Sequence, residues 1–292
     1  MAAGLILACL GGVYTVESGG QLFECKARGV FRKKELSPVA GDRCEFEDGV
    51  ITSVEERKNS IIRPPLANLD VMFFVVSTRE PFPNLLILDK FIAVCVYKGI
   101  TPVVVLTKND LEQNTEIPLI YGKTGIRVFV CDYENDDFSA PIKEMIRGRI
   151  CAFTGNTGVG KSTLLNRLSP SLELETSHIS KKLGRGRHTT RVSRLYPLFG
   201  GYVADTPGFS TFETEQYAVI SPEELPACFE EFSPFTDKCR FRDCTHTKEK
   251  GCAVIAAAEE GIIPRSRHES YKVMFEEARE IKPWDLKNRP NV

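Results

Sequence analysis

Bulk charge is almost absent from this 292-residue chain: 38 Lys and Arg against 39 Asp and Glu leave a formal net charge of −1. Overall charge therefore says nothing of partners, and any anion-binding surface has to be local. No apolar run reaches membrane length. The one near the N-terminus, Leu5 to Leu10, is stopped by Gly11 and Gly12 and lacks a basic head, which makes it a first β-strand rather than a leader or a membrane span. There is no internal repeat and no low-complexity segment, so fibrous and disordered classes are excluded. Without an export signal the 10 cysteines are not read as disulfides. Cys9, Cys95 and Cys151 lie in apolar runs as small hydrophobes, and a C-terminal group suits a metal. The compartment expected is the cytoplasm, with no membrane partner.

What is present is an ordinary globular composition, 42% apolar and 26% charged, in three textures. Residues 1–65 carry short strand candidates (5–16, 21–31, 43–47 and 50–55) cut by small-residue turns, the pattern of a small barrel. In 66–220, apolar strands at 71–77, 102–106, 126–131 and 150–154 alternate with helices near 84–98 and 140–147. That alternation predicts a parallel sheet with helices on both faces. Residues 221–292 read as helical and contain the cysteine group.

Gly155-Asn156-Thr157-Gly158-Val159-Gly160-Lys161-Ser162, followed by Thr163, matches the phosphate-loop pattern between a strand and a helix. Its glycines let backbone N–H groups face phosphates at a helix N-terminus. Lys161 reaches the β- and γ-phosphates, and Ser162 ligates Mg²⁺. The loop does not choose between ATP and GTP. Thr107-Lys108-Asn109-Asp110, after the strand at 102–106, does choose. A carboxylate at Asp110 accepts from guanine N1–H and the exocyclic amine, donors that adenine does not offer there. This disfavours a phosphate-loop kinase using ATP. Asp205-Thr206-Pro207-Gly208 supplies a metal aspartate, Asp205, and a γ-phosphate sensor, the Gly208 N–H. The base reader precedes the phosphate loop, the reverse of the usual order, which a circular permutation of the domain explains.

Between these motifs, residues 177–194 hold Lys181, Lys182, Arg185, Arg187, Arg191 and Arg194 and no acidic residue. This is the expected switch, with Thr189 or Thr190 completing the Mg²⁺ shell. Phe209 stands where Ras-like enzymes place a water-orienting Gln, so His188 is the available catalytic residue. A nucleotide-stabilised RNA-binding scaffold without hydrolysis is the competing reading. Farther on, Cys239, Cys244, His246 and Cys252 fall within fourteen residues. Three thiols and an imidazole fill a tetrahedral Zn²⁺ shell and leave no position for a catalytic water, so the role expected is structural. Arg240, Arg242, Arg265, Arg267 and Lys272 give that region a basic side suited to RNA phosphates.

Together with 25–29, 38–43, 63–70, 184–190 and 239–246, these motifs resemble the circularly permuted RsgA (YjeQ or YloQ) GTPases over essentially the whole chain. The resemblance implies a multidomain α/β architecture. An N-terminal OB-fold barrel binds RNA, a central permuted phosphate-loop GTPase domain follows, and a helical zinc-binding domain ends the chain. It further implies GTP hydrolysis to GDP, stimulated by the small ribosomal subunit, late in that subunit's maturation. The partners implied are that subunit and its rRNA, and the cofactors are GTP/GDP, Mg²⁺ and one Zn²⁺; a monomer is expected. In the family the residue matching His188 is the proposed catalytic one. Val130-Cys131-Asp132 departs from the usual Ser-Ala base-contacting loop.

Overall fold

The structure is a computed structural model that describes residues 1–29, 31, 37–62, 64–134, 138–170, 193–206 and 219–281. Five strands, β1 (Ala2–Leu10), β2 (Val13–Ser18), β3 (Gln21–Ala27), β4 (Arg43–Glu47) and β5 (Val50–Val54), close into a barrel of order β1-β2-β3-β5-β4. Its one parallel pairing, β3 with β5, gives it OB-fold topology. Alternation sends Cys44 and Phe46 of β4 inward to meet Ile6, Val16 and Ile51. The single strand expected over 5–16 is a hairpin instead. Gly11 and Gly12, at φ 60° and 83°, reverse the chain in two left-handed residues, which side-chain-bearing residues resist.

The segment that leaves the barrel forms a small hairpin, β6 (Ser60–Ile62) with β7 (Pro65–Ala67). Gly41 is required there: at φ 95°, a Cβ would lie 2.1 Å from the Ala67 carbonyl oxygen. Beside it the buried Asp42 accepts from Arg57 Nε at 2.7 Å and from the Val39 N–H at 2.7 Å.

The central sheet has β8 (Val71–Ser77), β9 (Thr101–Thr107), β10 (Arg127–Val130), β11 (Ile150–Thr154), β12 (Leu195–Leu198) and β13 (Gly201–Asp205), in the order β10-β9-β8-β11-β13-β12. Five strands are parallel as expected, and β8 and β11 are buried along their whole length. The edge strand β12 departs from the expectation and runs antiparallel to β13. Phe199 and Gly200, at φ 53° and 74°, return the chain in a tight turn, leaving no length for the helical crossover that a parallel neighbour needs.

Side chains alternate between two cores. Phe74, Val76 and Leu106 pack with α1 (Leu85–Tyr97) and α2 (Glu116–Gly122), a helix the periodicity did not reveal. Phe73, Val105 and Phe153 pack with α3 (Ser139–Ile146) and α4 (Lys161–Leu168), Phe73 stacking on Phe153 at 4.4 Å.

Two 3₁₀ turns, Leu225–Cys228 and Glu230–Phe232, precede α5 (Ser233–Thr236), α6 (Ala253–Glu259) and α7 (Arg265–Glu280). Their core takes Ala93 and Val94 from α1, so α1 is buried against the sheet on one side and against this helical unit on the other. A buried ion group crosses that seam. Arg267 of α7, 1% exposed, donates to Asp89 of α1 at 2.7 Å and to Glu231 at 2.7 Å, and its guanidinium lies 4.5 Å from the Phe229 ring. Tyr121 of α2 also donates to Asp89, at 2.9 Å. A cavity of about 690 Å³ opens beside this group at the N-terminal ends of β8 and β9, away from the motif loops. No helix among the described residues is long and apolar enough to cross a membrane.

Candidate nucleotide-binding site and metal centre

Parallel strands carry the motif loops at their C-terminal ends, where open α/β sheets bind ligands. Thr107 ends β9, Thr154 ends β11 and Asp205 ends β13, so the three separated motifs meet on one edge. The phosphate loop turns sharply under β8. A Cβ on Gly155 would sit 2.4 Å from the Val75 carbonyl oxygen, and Gly158 and Gly160 hold φ 86° and 92°. Gly160 stands at the N-cap of α4, and Ser162 and Thr163 are exposed on its first turn. Thr157 is exposed and Val159 buried, and the buried Asn156 Oδ1 has no partner among the described residues. Lys161 Nζ donates to the Thr206 carbonyl at 3.0 Å, and the Thr206 hydroxyl donates to Phe153 O at 2.9 Å. The phosphate-loop lysine is thereby held beside the residue that follows Asp205.

The base-reading loop is tied to the phosphate loop by a contact that sequence reasoning missed. The fully buried Thr107 hydroxyl lies within hydrogen-bonding reach of both the Val76 carbonyl, at 3.0 Å, and the Val159 carbonyl of the phosphate loop. Thr107 thus links the loop at 107–110 to the loop at 155–160. Lys108, at φ 60°, accepts from the Thr78 hydroxyl at its carbonyl (2.8 Å) and donates from Nζ to Glu80 O at 2.7 Å. Asn109 Oδ1 accepts from the Asn114 N–H at 3.1 Å. Asp110 follows in the same turn. The loop over 78–83 therefore belongs to the site, and nothing in its composition signals it. On the neighbouring loop after β10, Cys131 donates its N–H to Leu106 O at 2.7 Å, which ties the two loops together. His188, Thr189, Thr190 and Gly208 lie outside the described residues.

The cysteine group converges. The ligand atoms of Cys239, Cys244, His246 and Cys252 lie within 4.8 Å of one another. Cys239 Sγ is 3.8 Å from Cys252 Sγ, and His246 Nδ1 lies 3.5 Å and 3.4 Å from those sulfurs. These separations are the edges of a tetrahedron with bonds of roughly 2.0–2.3 Å, the lengths of Zn–N and Zn–S. Burial pushes the Cys244 thiol up to about 12, so a bound cation is what makes it a thiolate near neutrality. Burial also pushes the His246 imidazole below its ordinary value, which favours the neutral, ligating form. The frame is rigid: His268 Nε2 meets His246 O at 2.7 Å and Tyr271 donates to Thr245 O at 2.7 Å. The Glu249 carboxyl is pulled down to about 2; burial opposes this, but the Thr245 hydroxyl and the N–H groups of Thr245 and Lys248 outweigh it.

The 107–110 motif precedes the phosphate loop on a sheet with all three motif ends on one edge, the order of a circularly permuted phosphate-loop GTPase. The chain belongs to the RsgA GTPase family, whose profile matches residues 54–215, while the RsgA N-terminal domain matches residues 3–62. It is 43% identical to the small ribosomal subunit biogenesis GTPase RsgA of Streptococcus pneumoniae over 92% of this chain and 91% of that one. The Geobacillus sp. protein of the same name is 41% identical over 97% of this chain and 99% of that one. Among solved structures, YjeQ from Thermotoga maritima superposes with a TM-score of 0.78 at 33% identity, covering 96% of this chain and 99% of that one. YloQ, described as a circularly permuted GTPase, gives 0.77 at 31% identity, covering 97% and 96%. The protein is a GTP-hydrolysing enzyme of this family.

Proposed function

We propose that this GTPase acts late in the maturation of the small ribosomal subunit, binding its rRNA and leaving when GTP becomes GDP. The observation that carries the site assignment is the Thr107 hydroxyl between Val76 O and Val159 O, which couples base reading to the phosphate loop. In this reading Asp110 accepts from guanine and Lys108 and Asn109 hold the loop. Gly155, Asn156, Thr157, Gly158, Val159 and Gly160 wrap the phosphates, and Lys161 leaves Thr206 O to meet the β- and γ-oxygens. Ser162 and Asp205, with Thr189 or Thr190, would hold Mg²⁺, an oxygen donor set that suits this hard cation. Bound there, the ion offsets charge that builds on the phosphates. His188 orients the attacking water, and the Gly208 N–H senses the γ-phosphate.

Cys239, Cys244, His246 and Cys252 hold one structural Zn²⁺, and the filled shell leaves chemistry to the nucleotide site. The barrel at 1–65 and the zinc unit at 221–292 grip RNA around the GTPase domain at 66–220. The protein works as a cytoplasmic monomer.

GTP turnover measured with and without purified small subunits tests the proposal. Intrinsic GTPases run near ~10⁻⁴–10⁻³ s⁻¹ and an activating partner adds about 10³–10⁵. Strong stimulation by small but not large subunits is expected. Equal rates with either, or none, refute it.

A further inference from the structure

The end of the metal loop carries a feature that the nucleotide chemistry does not use. Between Cys239 and Cys244 the chain presents Arg240, Phe241 and Arg242, all exposed. Phe241 leaves 46% of its surface in water, while the Arg240 guanidinium lies 5.5 Å from its ring centroid. A second pair repeats the motif alongside, with Lys238 Nζ 5.4 Å from the Phe235 ring.

The arrangement is held before any partner arrives. Ligands on both sides fix the loop, and the Arg240 N–H donates to Gly251 O at 3.1 Å. The Arg240 stem lies over Gly251, where a Cβ would come within 3.2 Å of Arg240 Cβ at φ 81°. Lys248 and Lys250 add to the charge of this segment, so residues 237–250 carry five exposed cations against the exposed acids Asp237 and Asp243. The third local acid, Glu249, is turned into the loop, accepting from the N–H groups of Thr245 at 3.0 Å and Thr247 at 3.1 Å.

We propose that Phe241, backed by Arg240, is a stacking platform for one unpaired base of single-stranded RNA. Arg242, Lys238, Lys248 and Lys250 hold the flanking phosphates. An aromatic face is indifferent to base identity but needs the base out of a helix, so the surface selects single strands over duplex. One ring among cations suits a nucleic acid better than a protein, whose interface core is depleted of charge. The proposal rests on the ribosome-assembly reading and specifies which RNA the zinc unit takes.

The test uses the zinc-loaded full chain with Phe241→Ala, Phe241→Trp and the double variant Arg240→Ala/Arg242→Ala. The probes are a short unstructured RNA, a duplex of equal length, and small subunits. Phe241→Ala is expected to weaken the single strand about ten-fold while leaving duplex affinity, zinc content and basal GTP turnover unchanged, with Phe241→Trp restoring binding. The double variant lowers the single-strand salt slope by about 0.7, because of the two only Arg242 holds a phosphate. Wild-type single-strand affinity in Phe241→Ala, or an equal loss on duplex, overturns the proposal. So does loss of subunit binding with RNA affinity intact, which would assign the ring to a protein. Small subunits that still stimulate turnover in such a case leave the assembly reading standing; absence of stimulation in the wild type removes that reading instead.

Discussion

Replacing Arg267 with Met should loosen the helical unit from the GTPase sheet more than any surface change. Arg267 and Asp89 are each 1% exposed and the Glu231 side chain 3%, with both ion pairs at 2.7 Å. One cation serves two carboxylates, so its loss leaves two buried negative charges, and among the described residues the Tyr121 hydroxyl, at 2.9 Å from Asp89, is left to soften one of them. Breaking such a group costs about 3–5 kcal/mol, because the stranded charges keep their desolvation penalty. At roughly 2–4 °C per kcal/mol, the unfolding midpoint falls by roughly 6–20 °C.

Arg267→Lys keeps the charge but loses the fork and should fall between. Arg279→Ala removes a pair at 3.3 Å whose partners are 56% and 59% exposed, and should cost less than about 0.5 kcal/mol. Thermal unfolding followed by circular dichroism reads all three. An Arg267→Met midpoint equal to that of Arg279→Ala would refute the argument.

Other perturbations report on the sites. Asp110→Asn should exchange guanine for xanthine, since an amide donates where the carboxylate accepted; GTP affinity drops by roughly 10²-fold or more, and fluorescent-nucleotide titration decides. Thr107→Val, nearly isosteric, should weaken nucleotide binding by loosening the Val159 link, and unchanged affinity would show that the loops hold without it. Stripping the metal with a chelator, or His246→Ala, should release one zinc per chain and melt the C-terminal unit while the GTPase core persists, as read by metal analysis and limited proteolysis. His188→Ala should keep GTP affinity near normal and abolish the subunit-stimulated rate; retained stimulation removes His188 from the mechanism.

What the sequence by itself determined is what lies in contiguous residues. The motifs at 107–110, 155–162 and 205–208 and the cysteine group are each local patterns of backbone geometry or ligand spacing, so the chemistry expected of them and the permuted order were legible before any fold. So were the barrel turns at Gly19-Gly20 and Asp48-Gly49, and the run of parallel strands. Only the tertiary structure decided the rest, because it depends on pairs far apart in the chain. Thr107 reads as the first residue of the base-choosing motif until the sheet sets its hydroxyl against Val159, 52 residues on. Arg267 was counted with the basic surface, yet it is buried on Asp89, 178 residues away, because α1 is covered on both sides. Phe241 is one aromatic among many until the folded loop leaves its ring bare beside Arg240. Burial and long-range pairing are properties of the packed chain, and a one-dimensional pattern carries them only where one face repeats.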